Sequence, residues 1–267
     1  MRAPARKRFG QHFLSDPRIL ARIADAALLG PGDTVIEIGP GLGTLTDALR
    51  SRAGRVIGID VDRDLAAMLR ARYRDDPHVS IVEGDVLKAD LAALADGPFT
   101  LVGNIPYYIT TPIVFRALEA PRARLAVFLV QREVAERMSA SPNSKTYGAL
   151  SVNLQAIARV EILFPVSAGA FRPPPTVESA VVRITPRDVP LVPPEMERQF
   201  QRFVRAAFGL RRKQMRRVVR TITGASTPEV EAMLERAEVS PDVRPEAVSV
   251  EGMVAMAREL GEVRGKR

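Results

Sequence analysis

Asn104-Ile-Pro-Tyr107 follows a short apolar stretch, Thr100 to Gly103, and sets two hydrogen-bond acceptors side by side: the Asn104 side-chain oxygen and the Ile105 backbone carbonyl. Paired acceptors suit the two N–H bonds of an exocyclic amine. The amine of adenine is a weak nucleophile because its lone pair is delocalised into the ring. Accepting both N–H bonds favours the pyramidal form that attacks carbon. Pro106 fixes the backbone that presents the Ile105 carbonyl, and Tyr107 offers a flat face on which a flipped-out base can stack. Phe171, beside three successive prolines, has two open readings: it closes the other face of that base, or it is a core aromatic. No general base is required, because the amine becomes acidic only as its new bond forms, and the chain has only two histidines, His12 and His78. Most of the acceleration in such a site comes from in-line positioning.

The electrophile follows from a glycine loop. The strand Thr34 to Ile38 runs into Gly39-Pro-Gly41-Leu-Gly43 and then a helix from Thr44, letting backbone approach a ligand closely. The spacing is one residue short of the fingerprint that seats a dinucleotide pyrophosphate, which favours a ligand without one, such as S-adenosylmethionine. About twenty residues on, Asp60 ends the next strand, where an acidic side chain accepts from ribose hydroxyls. Gly84-Asp85 after the third strand is placed for an adenine-binding turn.

These residues need a scaffold. Strands are expected at Val56 to Asp60, Val79 to Glu83, Thr100 to Gly103 and Leu125 to Val130, and helices at Pro17 to Leu29, Asp64 to Tyr73, Pro112 to Leu118 and Gln131 to Met138. That alternation argues for a mostly parallel sheet covered on both faces. Ser139 to Lys145 reads as a polar loop, strands return at Val160 to Phe164 and Ala180 to Thr185, and Pro186 to Pro194 is the natural linker. Beyond it, Glu195 to Ile222, Pro228 to Ala237 and Glu251 to Leu260 read as helices. The expected boundary lies near Pro190, giving domains 1–189 and 190–267.

At 267 residues the chain is long enough for such a pair. It has no cysteine, which excludes disulfides, thiolate metal sites and cysteine nucleophiles, and two histidines argue against a histidine-rich zinc site, so no metal is expected. No apolar run reaches membrane-span length and no signal-peptide core follows the N-terminus, so a cytoplasmic protein without a membrane partner is expected. The net charge of +8 points to a polyanion. It is clustered: Arg198, Arg202, Arg205, Arg211, Arg212, Lys213, Arg216, Arg217 and Arg220 occur without an intervening acid, and Arg6, Lys7 and Arg8 form a second group. Such a run suits a phosphate-binding surface.

Taken in order, Gln11-His-Phe-Leu14, Glu37-Ile-Gly-Pro-Gly-Leu-Gly43, Gly84-Asp-Val-Leu87, Asn104-Ile-Pro-Tyr107, Phe171-Arg-Pro-Pro-Pro-Thr-Val-Glu-Ser-Ala180 and Phe208-Gly-Leu-Arg-Arg-Lys213 resemble the ribosomal RNA adenine N6,N6-dimethyltransferases over nearly the whole chain. The resemblance is greatest to the bacterial enzymes that dimethylate two adjacent adenosines near the 3′ end of small-subunit rRNA during ribosome assembly. It implies an α/β fold, a Rossmann-like S-adenosylmethionine-dependent catalytic domain with a smaller all-helical RNA-binding domain, and a monomer acting on the assembling small subunit. It further implies that His12, Leu14, Gly39, Asp60, Asp85 and Asn104 contact S-adenosylmethionine, joining Gly41 of the loop, and that Asn104 and Tyr107 serve the target adenine. His12 stands where the family commonly has asparagine, and Asp60 where glutamate often binds the ribose. The turn Arg211-Arg-Lys213, with Arg216 and Arg217, is the candidate RNA contact on a basic helix from Arg198 to Arg220. Two alternatives share the fold: a large-subunit rRNA methyltransferase conferring antibiotic resistance, and a ribosome-assembly or transcription factor that no longer catalyses. A DNA adenine methyltransferase would share the amine chemistry.

Overall fold

The computed structural model describes residues 12–265; Gln11 of the first motif and the Arg6 to Arg8 cluster lie outside them. The chain runs β1 (Phe13–Leu14), α1 (Pro17–Ala26), β2 (Thr34–Ile38), α2 (Thr44–Arg50), β3 (Arg55–Asp60), α3 (Arg63–Arg72), β4 (Val79–Glu83), α4 (Leu91–Ala95), β5 (Phe99–Asn104), α5 (Thr110–Arg116), β6 (Leu125–Gln131), α6 (Arg132–Met138), α7 (Ala149–Gln155), β7 (Ala158–Val166), β8 (Phe171–Arg172) and β9 (Ser179–Pro186). Four helices follow: α8 (Glu197–Gly209), α9 (Met215–Thr223), α10 (Thr227–Arg236) and α11 (Val250–Gly265).

Two compact units emerge: residues up to Ala135 with Val160–Pro186, and Glu136–Arg159 with everything from Arg187 onward. The expected cut at Pro190 lies close to the last of three crossings, between Pro186 and Arg187, but the piece Glu136–Arg159 belongs with the later helices. Its reason is packing: α7 lies on α8 and α11, the Tyr147 hydroxyl donates to Val248 O at 2.9 Å, and Leu191 N donates to Ala156 O.

The first unit is built on a sheet of order β4-β3-β2-β5-β6-β9-β7, parallel from β4 through β6, with β9 antiparallel to β6. Its central strands are largely apolar and buried over most of their length, as required of strands covered on both faces. In-register pairing brings the carboxyl ends of β2, β3, β4 and β5 together, with Ile38 opposite Ile59 and Gly103, and Asp60 opposite Glu83. In open α/β sheets this edge is where ligands bind.

In the second unit the basic run expected as one helix is two. Between α8 and α9 the chain turns at residues 210–214, with Lys213 N donating to Leu210 O. The break is set from a distance: the first N–H groups of α9, on Met215 and Arg216, donate to the carbonyls of Val243 and Pro241. Those carbonyls replace the helical partners that an uninterrupted helix would have supplied.

Candidate active site

Asp60 closes β3 and is buried. One carboxyl oxygen accepts from Asp62 N at 2.8 Å and the other from Gly41 N at 3.2 Å, so the carboxylate ties the glycine loop to the strand. Each oxygen keeps a lone pair for a ligand. Burial pushes its pKa above the usual carboxylate range, opposed by the Asp62 and Gly41 N–H groups. The loop itself demands glycine. Gly39 and Gly41 have φ of 65° and 57°, and a Cβ on Gly39 would stand in open space while one on Gly41 would press the Phe13 ring at 3.0 Å.

These groups face a cleft lined among others by His12, Gly39, Gly41, Asp60, Asp85, Asn104, Ile105, Pro106 and Tyr107. Asn104 ends β5, and its amide nitrogen donates to His12 O at 2.7 Å. The remaining polar atom of that side chain is therefore an acceptor, Oδ1. Ile105 is held by its N–H on Leu129 O, and Pro106 leads into a single 3-10 turn, Tyr107–Ile109, closed by Ile109 N on Pro106 O. The Tyr107 hydroxyl pairs with Ser179 Oγ at 2.7 Å, and burial raises its pKa. The His12 ring lies 6.2 Å from that of Tyr107, nearly parallel, and is held by Nδ1–H donating to Pro173 O at 2.9 Å.

Two expected residues are not in the cleft lining. Phe171 is fully buried in the core cluster that also holds Leu14, Leu20 and Val181, because the β1–β8 pairing sets it opposite Leu14. Of its two readings the core aromatic is the one observed. What the triple proline braces at the cleft is His12, through Pro173 O. Leu14 itself is buried in the same cluster, with its carbonyl accepting from Thr44 Oγ1 at 3.0 Å. His78 is remote from the cleft and bonds Gly54 O.

Other lining residues were not anticipated: Phe13, Val61, Val86 and Tyr108. Val61 carried a signal, an apolar residue directly after a strand-ending acid, and it is exposed. Beneath the loop, Glu37 is buried on β2 and accepts from Thr46 Oγ1 at 2.5 Å. Desolvation, with the nearby charges of Asp60 and Asp47 and against the Thr46 bond, pushes its pKa up to about 8.

The donor set fits an adenosyl ligand. Ile59, Val61 and Val86 give an apolar wall, Asp60 gives a carboxylate able to accept from vicinal hydroxyls, and Asp85 stands at the end of the third strand of the parallel set. Among the described residues no cluster of side chains could hold a metal ion, and no helix is long and apolar enough to cross a membrane.

In the second unit Arg211 bonds Glu246 through both Nε and Nη2, and Arg216 pairs with Asp242. The basic run has no acid within it, but the fold supplies two from about thirty residues on. Arg212, Lys213 and Arg217 are exposed.

A family model described as ribosomal RNA adenine dimethylase matches residues 2–262. The ribosomal RNA small subunit methyltransferase A of Xanthomonas euvesicatoria pv. vesicatoria is 45% identical over 257 residues, 96% of this chain and 96% of that protein. A crystal structure of the 23S rRNA methyltransferase ErmE is similar with a TM-score of 0.75 at 30% identity, covering 93% of this chain and 99% of that one. A dimethyladenosine transferase from Plasmodium falciparum gives a TM-score of 0.82 at 25% identity, covering 94% and 98%. With a strand-edge cleft, a glycine loop and a match over almost its full length, the chain belongs to the ribosomal RNA adenine dimethylase family.

Proposed function

We propose that the chain uses S-adenosylmethionine to dimethylate the N6 amine of two adjacent adenosines near the 3′ end of small-subunit rRNA, acting in the cytoplasm as a monomer on the assembling subunit. The observation that carries this reading is the orientation of Asn104. With Nδ2 committed to His12 O, Oδ1 is the atom available to an amine, and it belongs to the same cleft as Asp60. The relatives whose names specify the small subunit support the choice of RNA.

S-adenosylmethionine, when bound, supplies a methyl group activated by its sulfonium. Asp60 is the residue to hold the ribose, Gly39 and Gly41 to let the backbone approach, Asp85 and the aliphatic wall to seat the adenine, and His12 to line the methionine end. Asn104 Oδ1 and the Ile105 carbonyl accept from the target amine, Pro106 fixes that carbonyl, and Tyr107 stacks the base. The proton leaves after the carbon–nitrogen bond has formed. Arg212, Lys213 and Arg217 are the stronger RNA contacts of the five expected, since Arg211 and Arg216 would have to exchange Glu246 and Asp242 for phosphate.

Replacing Asp60 by alanine is expected to weaken S-adenosylmethionine binding roughly 10- to 100-fold in a calorimetric titration, because a buried carboxylate and its charge-assisted bonds are lost. Unchanged affinity would remove Asp60 from the ligand set.

The reading as a whole is tested by offering purified protein and labelled S-adenosylmethionine to unmethylated small subunits, large subunits, naked rRNA and duplex DNA. Label recovered as N6,N6-dimethyladenosine from small subunits alone is the expected result. Label on large subunits would assign the resistance activity instead, and tight small-subunit binding without label would leave a non-catalytic assembly factor.

A further inference from the structure

We propose that Tyr108 is a stacking platform for the nucleobase adjacent to the one in the cleft, an inference that rests on the RNA-methylating reading above. Of the chain's four tyrosines, three have bonded hydroxyls and little exposure: Tyr73 on Gly43 O and Asp47, Tyr107 on Ser179, and Tyr147 on Val248 O. Tyr108 is 64% exposed, yet it lines the same cleft as Asn104 and Tyr107. An aromatic ring left in water at the rim of a cleft is surface held ready for a flat ligand.

The backbone explains how two neighbouring tyrosines divide the work. They lie on one 3-10 turn, where successive side chains diverge by about a third of a revolution. Tyr107 is turned to Ser179 on β9, which leaves Tyr108 facing outward. The turn is pinned at both ends, by Ile105 N on Leu129 O and Ile109 N on Pro106 O, with the Thr110 hydroxyl donating to the Pro106 and Tyr107 carbonyls. Stacking on a ring carried by a fixed backbone spares the cost of ordering the turn, and it tolerates any base because each has a π face. A nucleotide drawn out of its helix takes its chain neighbour with it, so a second stacking surface at the mouth of the cleft would hold the substrate strand in line with the acceptors.

The chain contains no tryptophan, so Tyr108→Trp places its single tryptophan, excited apart from the remaining tyrosines, at this point. Titration with a short single-stranded RNA carrying two adjacent adenosines should quench its emission, and an abasic site beside the target should abolish most of the quench. In steady-state transfer assays on unmethylated small subunits Tyr108→Ala is expected to raise KM for the subunit roughly 5- to 100-fold with kcat much less affected. Binding of S-adenosylmethionine should stay unchanged, and Tyr108→Phe, which keeps the ring, should restore KM. On small subunits reconstituted with rRNA that is abasic beside the target, the penalty for Tyr108→Ala should vanish, which a merely structural defect would not allow. An active wild type with an unchanged KM in Tyr108→Ala, or a penalty that persists on the abasic subunits, overturns the assignment of Tyr108 alone. A wild type that methylates neither small subunits nor RNA overturns the underlying reading, and the Tyr108 proposal falls with it.

Discussion

Methyl transfer by Asn104→Ala is expected to be roughly 100- to 1,000-fold slower than wild type at saturating substrates, the usual cost of deleting one preorganised polar group at a reacting centre. The argument is one of orientation. A free asparagine can present either end of its amide, but here Nδ2 is spent on His12 O at 2.7 Å, so the acceptor is already aimed before any base arrives and no reorganisation is needed during reaction. Alanine removes that acceptor and also leaves the His12 carbonyl without its donor. Single-turnover measurement at saturating S-adenosylmethionine and small subunits isolates the first effect, since a shift confined to binding would be overcome by concentration. A rate within ten-fold of wild type would remove Asn104 from the reacting atoms.

The second large effect concerns stability. Glu37 holds its proton to about pH 8 in the folded chain, against an ordinary value of 4.5, chiefly because burial disfavours its charge. Between those two values the folded chain binds a proton that the unfolded chain has released, so this group's contribution is complete below pH 4.5 and lost as pH rises towards 8. Glu37→Gln keeps the shape and an acceptor for the Thr46 hydroxyl but carries no charge to desolvate. Denaturant unfolding from pH 5 to 9 should show the variant gaining on wild type as pH rises, by on the order of 4 kcal/mol in all. Parallel stability curves would mean that the buried carboxyl relaxes into water or finds another compensation.

Much of this was legible in the sequence because it is local. The strands at Thr34, Val79 and Leu125 are short apolar runs, and the residues that end them, Asp60 and Asn104, reach the cleft wherever the sheet is parallel and in register. What was not legible depends on partners far along the chain. Nothing near Phe171 distinguishes a cleft wall from a core position; its pairing opposite Leu14 does. The uninterrupted arginines of residues 198–220 read as one bare cationic helix until Pro241 and Val243 cap its second half, and Asp242 and Glu246 neutralise two of its charges. Helix α7 was missed because Ser151 and Asn153 give it a polar look, although Ser151 is buried and donates to Arg137 O. Nothing in the sequence separates Tyr108 from its neighbour Tyr107; its exposure and the Tyr107 bond to Ser179 do.

The sheet order has a consequence for how the chain is made. β9 is the last of the described strands to leave the ribosome, yet it lies between β6 and β7. Until Ser179–Pro186 has emerged, β6 has a bare edge and β7 has no neighbour in the sheet, the exposure that invites pairing between nascent chains. A chain stopped short of Ser179 should therefore aggregate rather than yield a smaller folded domain. A fragment starting at Arg187 would fare little better, since it lacks the α7 segment on which its own helices pack.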